Sequence, residues 1–253
     1  LKISVITINY NNAEGLKRTL TSVSGQDYTN LEHIVIDGGS QDESVAVVKK
    51  YGDFVAYFVS EPDNGIYHAM NKGVSKATGD YLLFVNSGDR LTSATVVSRS
   101  VSFGLSADLI IGDLLFVNGE VSRRWSPPDH LTFGHFFQNT IPHPSTFIRR
   151  SLFEQIGKYD ESLKIVSDWK FFTLAICKYN VSYSRIHAVI TEFNEDGVSS
   201  DPAHASRISS ERDDVIKKEF PAFRTEYEEL LRSRLQLRKL RYTIRIKKIL
   251  GIR

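Results

Sequence analysis

The β-branched run Lys2–Asn9 (KISVITIN) stops on polar residues, and the apolar period then changes to helical spacing at Leu16, Leu20 and Val23 within Glu14–Val23. The same change recurs through the first half of the chain. Glu32–Asp37 (EHIVID) is a short apolar strand ending on a carboxylate, followed by a Gly-Gly-Ser turn and a helix from about Asp42. Phe54–Val59 reads as a third strand. A helix near Ile66–Ala77 leads into a fourth, Tyr81–Val85. Repeated strand–helix units predict an α/β fold with a mostly parallel central sheet and helices on both faces. In such sheets ligands gather at the carboxyl ends of strands. Asn9-Tyr10, Asp37 and Asn86–Asp89 all stand at such ends.

The second half is less regular. Val117-Asn118-Gly119-Glu120, within Leu114–Val121, is a hairpin signal. Pro127-Pro128 and Pro142-His143-Pro144 mark loops. Ser151–Ile156 and Asp168–Lys178 read as helices, with strands near Val181–Arg185 and Ala188–Phe193. Helical signal returns from about Ala205 and, after Pro221, continues to the C-terminus. The expected division is a domain over residues 1–204 and a helical extension over 205–253.

Charge separates these two parts. Residues 230–253 carry nine Lys/Arg and no Asp/Glu, which leaves 23 basic against 30 acidic residues elsewhere, a balance of about −7. A nucleic-acid binder more often carries its positive charge on the folded body, so no nucleic-acid partner is expected. A basic appendage points to an anionic surface instead. The single cysteine, Cys177, excludes an internal disulfide. No apolar run reaches the roughly 18 residues of a spanning helix, and no signal peptide precedes the first strand. The reading from these features is a cytoplasmic chain.

Three constellations could carry chemistry, and each has a plainer alternative. In Asn86-Ser87-Gly88-Asp89, a carboxylate after an apolar strand could hold a hard cation between two phosphates, or could cap a helix beginning near Thr92. In Asp37-Gly38-Gly39-Ser40-Gln41-Asp42, Asp37 could accept from a base N–H or a ribose hydroxyl; otherwise this is a βα turn with Asp42 as cap. Asp168 opens an amphipathic helix, either as its cap or as a catalytic base. There is no G-x-G-x-x-G or G-x-x-x-x-G-K-[ST] loop, no zinc spacing among the seven histidines, and no G-x-S-x-G elbow. His143, between two prolines, is the one histidine fixed in an unusual backbone, and Cys177 reads as a core residue.

In combination and order these pieces resemble the family 2 glycosyltransferases of the GT-A fold, a Rossmann-like architecture, and within them bacterial enzymes that assemble surface polysaccharides. The matching stretches are "ISVITINYNN", "IVIDGGSQD", "SEPDNGIYHAMNKGVSKATGDYLLFVNSGD", "HPSTFIRRSLFEQIGKYDESL" and "VSDWKF", together spanning about residues 1–200. The resemblance implies a nucleoside-diphosphate-sugar donor, a UDP-sugar in the first instance, and a glycan or lipid-linked acceptor. It places Thr7, Asn9, Tyr10 and Asp37 at the base and ribose. Asn71 and Lys72 then stand beside the diphosphate, with Asn86, Ser87 and Asp89 in the region of the family's D-x-D. It makes Asp168 the general base for an inverting displacement and puts the His143 loop near the acceptor. The implied cofactor is a divalent cation, Mg²⁺ or Mn²⁺, on Asp89. Asn86 and Gly88 replace the two aspartates of the D-x-D, Ser167 precedes the base where relatives have Glu, and Met70 stands where an arginine is common. No histidine falls where many relatives place a C-terminal metal ligand; Phe193-Asn194 comes nearest.

Two other classes remain in view. A nucleotidyltransferase making the activated sugar would carry a Gly-rich loop ending in Arg and Lys, which "TINYNNAEG" lacks. A non-catalytic sugar-nucleotide-binding protein is favoured by the eroded D-x-D. In the tail, Arg234, Arg238, Arg241, Arg245 and Lys248 form one stripe on a helix. Leu231, Leu235, Tyr242, Ile246 and Ile249 adjoin it on one side, with Leu237, Leu240 and Ile244 on the other. This pattern suits a helix lying on the inner membrane surface. Packing in an oligomer is the competing expectation.

Overall fold

A computed structural model describes residues 1–195 and 202–249. Its sheet is assembled around β1 (Ile3–Asn9), followed in the chain by α1 (Ala13–Ser24), β2 (Leu31–Asp37) and α2 (Ser44–Lys49). Next come β3 (Val55–Ser60), α3 (Ile66–Lys76) and β4 (Tyr81–Phe84). These four strands lie side by side in the order β3-β2-β1-β4, all parallel. The chain steps outward from β1 to β3 and then returns to the other side of β1 as β4. That reversal opens a crevice at the carboxyl ends of β1 and β4, where open α/β sheets bind ligands.

Helices cover both faces, as the strand–helix repeat predicts. On the face of Ile3, Val5 and Val35, α1 and α2 bury Leu16, Leu20, Val23, Val47 and Val48. Asn12 starts α1 by accepting a hydrogen bond from the Gly15 backbone at 3.1 Å. The opposite face carries Ile6, against which α3 lies very close. A Cβ at Gly73 would stand 2.5 Å from Ile6 Cγ2, so glycine sets that approach.

Beyond β4 come β5 (Arg90–Leu91), α4 (Val96–Ser102), β6 (Leu109–Asn118), β7 (Val121–Trp125) and α5 (Phe133–Gln138). They are followed by β8 (Thr146–Arg149), α6 (Leu152–Gln155), α7 (Ser167–Cys177) and β9 (Tyr183–Asn194). The sheet continues from β4 as β8-β6-β9-β5, with β8 antiparallel to both of its neighbours and β7 hairpinned onto β6. The two strands expected near 181–185 and 188–193 are one strand, β9. Its register against β6 shifts around Gly112, where a Cβ would meet Ile190 Cγ1 at 2.2 Å. The helix expected from Thr92 begins only at Val96, so Asp89 leads into β5 and caps nothing.

The described chain divides into two compact units, Leu1–Ala205 and Ser206–Arg253. The second is built from α8 (Ala205–Glu219) and α9 (Pro221–Ile249). Pro221 stands at the first position of α9, where its missing N–H leaves no bond unmade. Arg224 of α9 ties the two helices by pairing with Asp213 of α8 at 2.8 Å, and it pairs within its own helix with Glu228 at 2.9 Å.

Candidate active site

The two loops of the crevice are joined directly. Asn12 Nδ2 donates to the Ser87 carbonyl at 3.3 Å, and Ser87 Oγ donates to the Asn12 carbonyl at 3.2 Å. Asp37, fully buried, accepts from Asn9 Nδ2, the Ser40 backbone and hydroxyl, and Ser60 Oγ at 2.5–2.8 Å. Burial pushes its carboxyl up, but these hydrogen bonds outweigh it and hold the group below its ordinary value. Four donors leave a carboxylate little further capacity. Thr7 is equally enclosed, donating to the Val85 carbonyl at 2.7 Å and facing His33 Nε2 at 2.9 Å. Thr7 and Asp37 therefore brace the strand ends and turns on which the expected base and ribose pocket would stand. Asn9 is also buried, though its Oδ1 has no partner. Tyr10 differs. It is 67% exposed, next to Asn11 at a φ of 47°, an uncommon backbone state for a residue other than glycine.

Across the crevice, Asp89 is almost wholly buried, with Oδ1 accepting from the Asn194 backbone at 3.1 Å and Oδ2 without a partner. Burial pushes its carboxyl up to about 7. Asn86 Oδ1 is a second buried oxygen with no partner in the same loop. Its amide nitrogen faces His143 Nε2 at 3.2 Å.

His143 connects this loop to the expected base. Its Nδ1 lies 3.1 Å from Asp168 Oδ2, and each side chain is 17% exposed. Because Nε2 faces an amide N–H, Nδ1 carries the hydrogen that Asp168 accepts. Asp168 Oδ1 accepts from the Tyr67 hydroxyl at 2.8 Å. Burial raises the carboxyl of Asp168, but His143 and Tyr67 outweigh it, so the group sits below its ordinary value. The cap of α7 is Val166, not Asp168. Side chains from two other elements thus hold Asp168, whose carboxylate keeps a partly exposed edge.

Asn71 and Lys72 are engaged within the protein. Asn71 donates to the Tyr159 carbonyl at 2.9 Å and to Glu161 Oε1 at 2.7 Å, while its Oδ1 accepts from the Tyr159 backbone at 3.0 Å. It clamps the 159–161 loop from the helix expected to flank the diphosphate. Lys72 pairs with Glu61 at 2.8 Å. Tyr67 and Glu61 belong to the site without having been singled out, whereas Asn194, named for its nearness to a C-terminal ligand position, enters through its backbone N–H to Asp89. Tyr67 lies in the same stretch as Asn71, four residues earlier, and that i, i+4 spacing was the available signal. Cys177 is half-buried, with burial pushing its thiol to about 11, as befits a packing residue.

Among the described residues no three His, Cys, Asp or Glu side chains gather as a metal cluster. Asn86 Oδ1 and Asp89 Oδ2 are nevertheless hard oxygen donors, both buried without partners, and are the atoms here that could hold Mg²⁺ or Mn²⁺.

The family model for "Glycosyl transferase family 2" matches residues 4–157, more than half of the chain and the part that contains both crevice loops. The chain belongs to glycosyltransferase family 2. An uncharacterized glycosyltransferase of Mycobacterium tuberculosis is 37% identical over 212 residues, covering 78% of this chain and 77% of that protein. A "PGL/p-HBAD biosynthesis glycosyltransferase" of Mycobacterium bovis is 30% identical over 200 residues, 77% of each chain. Among solved structures, Staphylococcus aureus TarS 1-349 in complex with UDP superposes with a TM-score of 0.66 at 22% identity, covering 86% of this chain and 70% of that one. The mannosyltransferase PcManGT of Pyrobaculum calidifontis, in complex with GDP-Man and Mn²⁺, gives 0.59 at 19% identity over 83% and 60% of the two chains. This family 2 glycosyltransferase has the GT-A architecture of those neighbours.

Proposed function

We propose that this glycosyltransferase moves a sugar from a UDP-sugar to a hydroxyl of a glycan or lipid-linked acceptor, with inversion at the anomeric carbon, in the synthesis of a bacterial surface polysaccharide. The observation that carries this reading is the series Asp168–His143–Asn86, which links a buried carboxylate to the loop after β4. Asp168 takes the proton of the acceptor hydroxyl, and His143 holds that carboxylate and borders the acceptor. Tyr10 offers its exposed ring to the base. Asn9 and Asp37 hold the turn beneath it, and Ser87, Asn71 and Lys72 line or brace the diphosphate region. Asp89 and Asn86 would hold the divalent cation, which when bound neutralises charge on the departing diphosphate. UDP is favoured because TarS is described in complex with UDP and with UDP-GlcNAc. An envelope glycan is favoured by the PGL/p-HBAD relative.

Among the described residues no helix is long and apolar enough to cross a membrane. We infer a peripheral attachment on the cytoplasmic side of the inner membrane through α9, whose Leu235, Leu237, Leu240 and Tyr242 are exposed beside basic residues. The experiment that tests the main reading is turnover of a panel of UDP-, GDP- and dTDP-sugars, with product release followed with and without candidate acceptors. Nucleoside diphosphate released from one donor and a new glycosidic bond in the product support it. Binding without turnover across the whole panel rejects it.

A further inference from the structure

Tyr67 has one hydroxyl hydrogen and two acceptors. Its oxygen lies 2.8 Å from Asp168 Oδ1 and 2.5 Å from the Ile165 carbonyl oxygen. A phenol can donate to only one of them at a time. The residue is buried in α3, its ring packed against Tyr159 at 5.7 Å between centroids, so the hydroxyl stays between those two oxygens. The other oxygen of Asp168 already faces His143 Nδ1.

We propose that Tyr67 is a positioning residue whose hydroxyl hydrogen switches from Asp168 to the Ile165 carbonyl when Asp168 becomes protonated. The proposal rests on Asp168 acting as the base. As the acceptor oxygen bonds to the anomeric carbon, its O–H bond breaks and the proton passes to Asp168. The nucleoside diphosphate leaves with the electron pair of the old C–O bond. Before attack, Tyr67 donates to the carboxylate. Asp168 also accepts from the Trp169 backbone N–H in either state. Afterwards, with Oδ2 facing the N–H of His143, the acid hydrogen is placed on Oδ1 and turns toward the Tyr67 oxygen, while the phenol hydrogen turns to Ile165. Both charge states of Asp168 are then hydrogen-bonded, and the change between them requires rotation of two O–H groups about their C–O bonds, the phenol of Tyr67 and the newly formed acid. Preorganised groups of this kind lower the reorganisation that accompanies charge movement. Besides Tyr67 and His143, the charged and titratable surroundings of Asp168 include Tyr159, whose hydroxyl is held protonated by burial and by Asp168 itself.

Asp168→Asn provides a neutral-pH mimic of the protonated state. Of its two amide atoms, the oxygen must face the N–H of His143, so the amide hydrogens face Tyr67. The carbonyl ¹³C resonance of Ile165 is compared in wild type, Asp168→Asn, Tyr67→Phe and the double variant. A downfield shift on Asp168→Asn that is absent in the Tyr67→Phe background is the expected result. No shift, or an equal shift in both backgrounds, overturns the switch. The buried Tyr67 hydroxyl proton, compared between wild type and Asp168→Asn, gives the same decision without altering Tyr67; an unmoved resonance also overturns it. In turnover of the donor found active in the panel, Tyr67→Phe should lower kcat about tenfold with UDP affinity unchanged. Unchanged kcat counts against any positioning role. If Asp168→Asn itself turns over normally, the base assignment fails, and the carbonyl shift still decides the switch.

Discussion

His143 Nδ1 and Asp168 Oδ2 stand 3.1 Å apart although 25 positions separate them in the chain. One comes from the 3-10 turn His143–Ser145 and the other from the first turn of α7. The contact orients a carboxylate whose other oxygen is held by Tyr67, and it leaves His143 Nε2 facing the loop that ends on Asp89. A ring placed in this way transmits the position of one loop to the other.

Asp168→Asn is expected to keep donor affinity, because the two side chains are nearly isosteric. Transfer should fall by about 10² or more, since an amide cannot take the proton. Anomeric configuration of the wild-type product by NMR should be inverted. Near-normal transfer by the variant would place the base elsewhere.

For Asp89, burial raises the folded-state value to about 7, above the ordinary carboxylate range that the unfolded chain retains. The folded protein therefore holds a proton that the unfolded chain loses near pH 4. The stability this contributes is present below about pH 4 and is lost as pH rises through about 7. Thermal melts of the metal-free protein should show wild type losing ground to Asp89→Asn between pH 5 and 8, by an amount on the order of a few kcal/mol at most. At pH 8, Mg²⁺ or Mn²⁺ should raise the melting temperature of wild type and leave Asp89→Asn nearly unmoved. Parallel pH profiles for the two proteins, with no response to metal, would remove both the raised value and the cation role. Calorimetric titration with UDP should likewise show metal-dependent affinity only where Asp89 is present.

His143→Ala removes a hydrogen bond from Asp168 and one from Asn86. A loss of about tenfold or more in kcat, or a raised acceptor KM, is expected while UDP binding is retained. A lower melting temperature with full specific activity would mean that the ring only packs the turn between its prolines.

Much of this was legible because period and strand ends are local signals. β1 to β4 and α1 and α3 carry long enough apolar patterns to be read directly, and their carboxyl ends locate the crevice. β5, α4 and α5 are too short for a period to develop, and β8, no shorter than β4, lacks its unbroken apolar run; they form because the sheet and its neighbours bury them. At the site, Asp168 and Asp89 could be nominated from their places at element ends. The pairings could not, since Tyr67 meets Asp168 across 101 positions and the Asn194 backbone meets Asp89 across 105, and nothing local joins His143 to Asp168. The same limit explains Asp37 and Asn71. Sequence shows a polar side chain near a ligand-binding edge, but only the folded chain reveals that its hydrogen-bonding capacity is already filled from within.

For the C-terminal helix, vesicle co-sedimentation compares the full chain with one ending at Glu229. Anionic vesicles should retain the full chain at low salt and release it as salt rises, with each Lys/Arg near the surface contributing about 1 kcal/mol. Neutral vesicles and the shortened chain should show little binding. Equal, negligible binding by both proteins would redirect attention to an oligomer interface, which sedimentation velocity of the same pair would reveal.

Tyr67 and Asn71 lie four residues apart on α3, on one face, one holding Asp168 and the other the 159–161 loop. A helix advances about 100° per residue. Replacing either side chain alters one contact, whereas inserting or deleting a single residue between them would swing one partner a quarter-turn out of reach while the other stayed. Lineages descended from such a chain can therefore tolerate point changes in this helix far more readily than changes in its length.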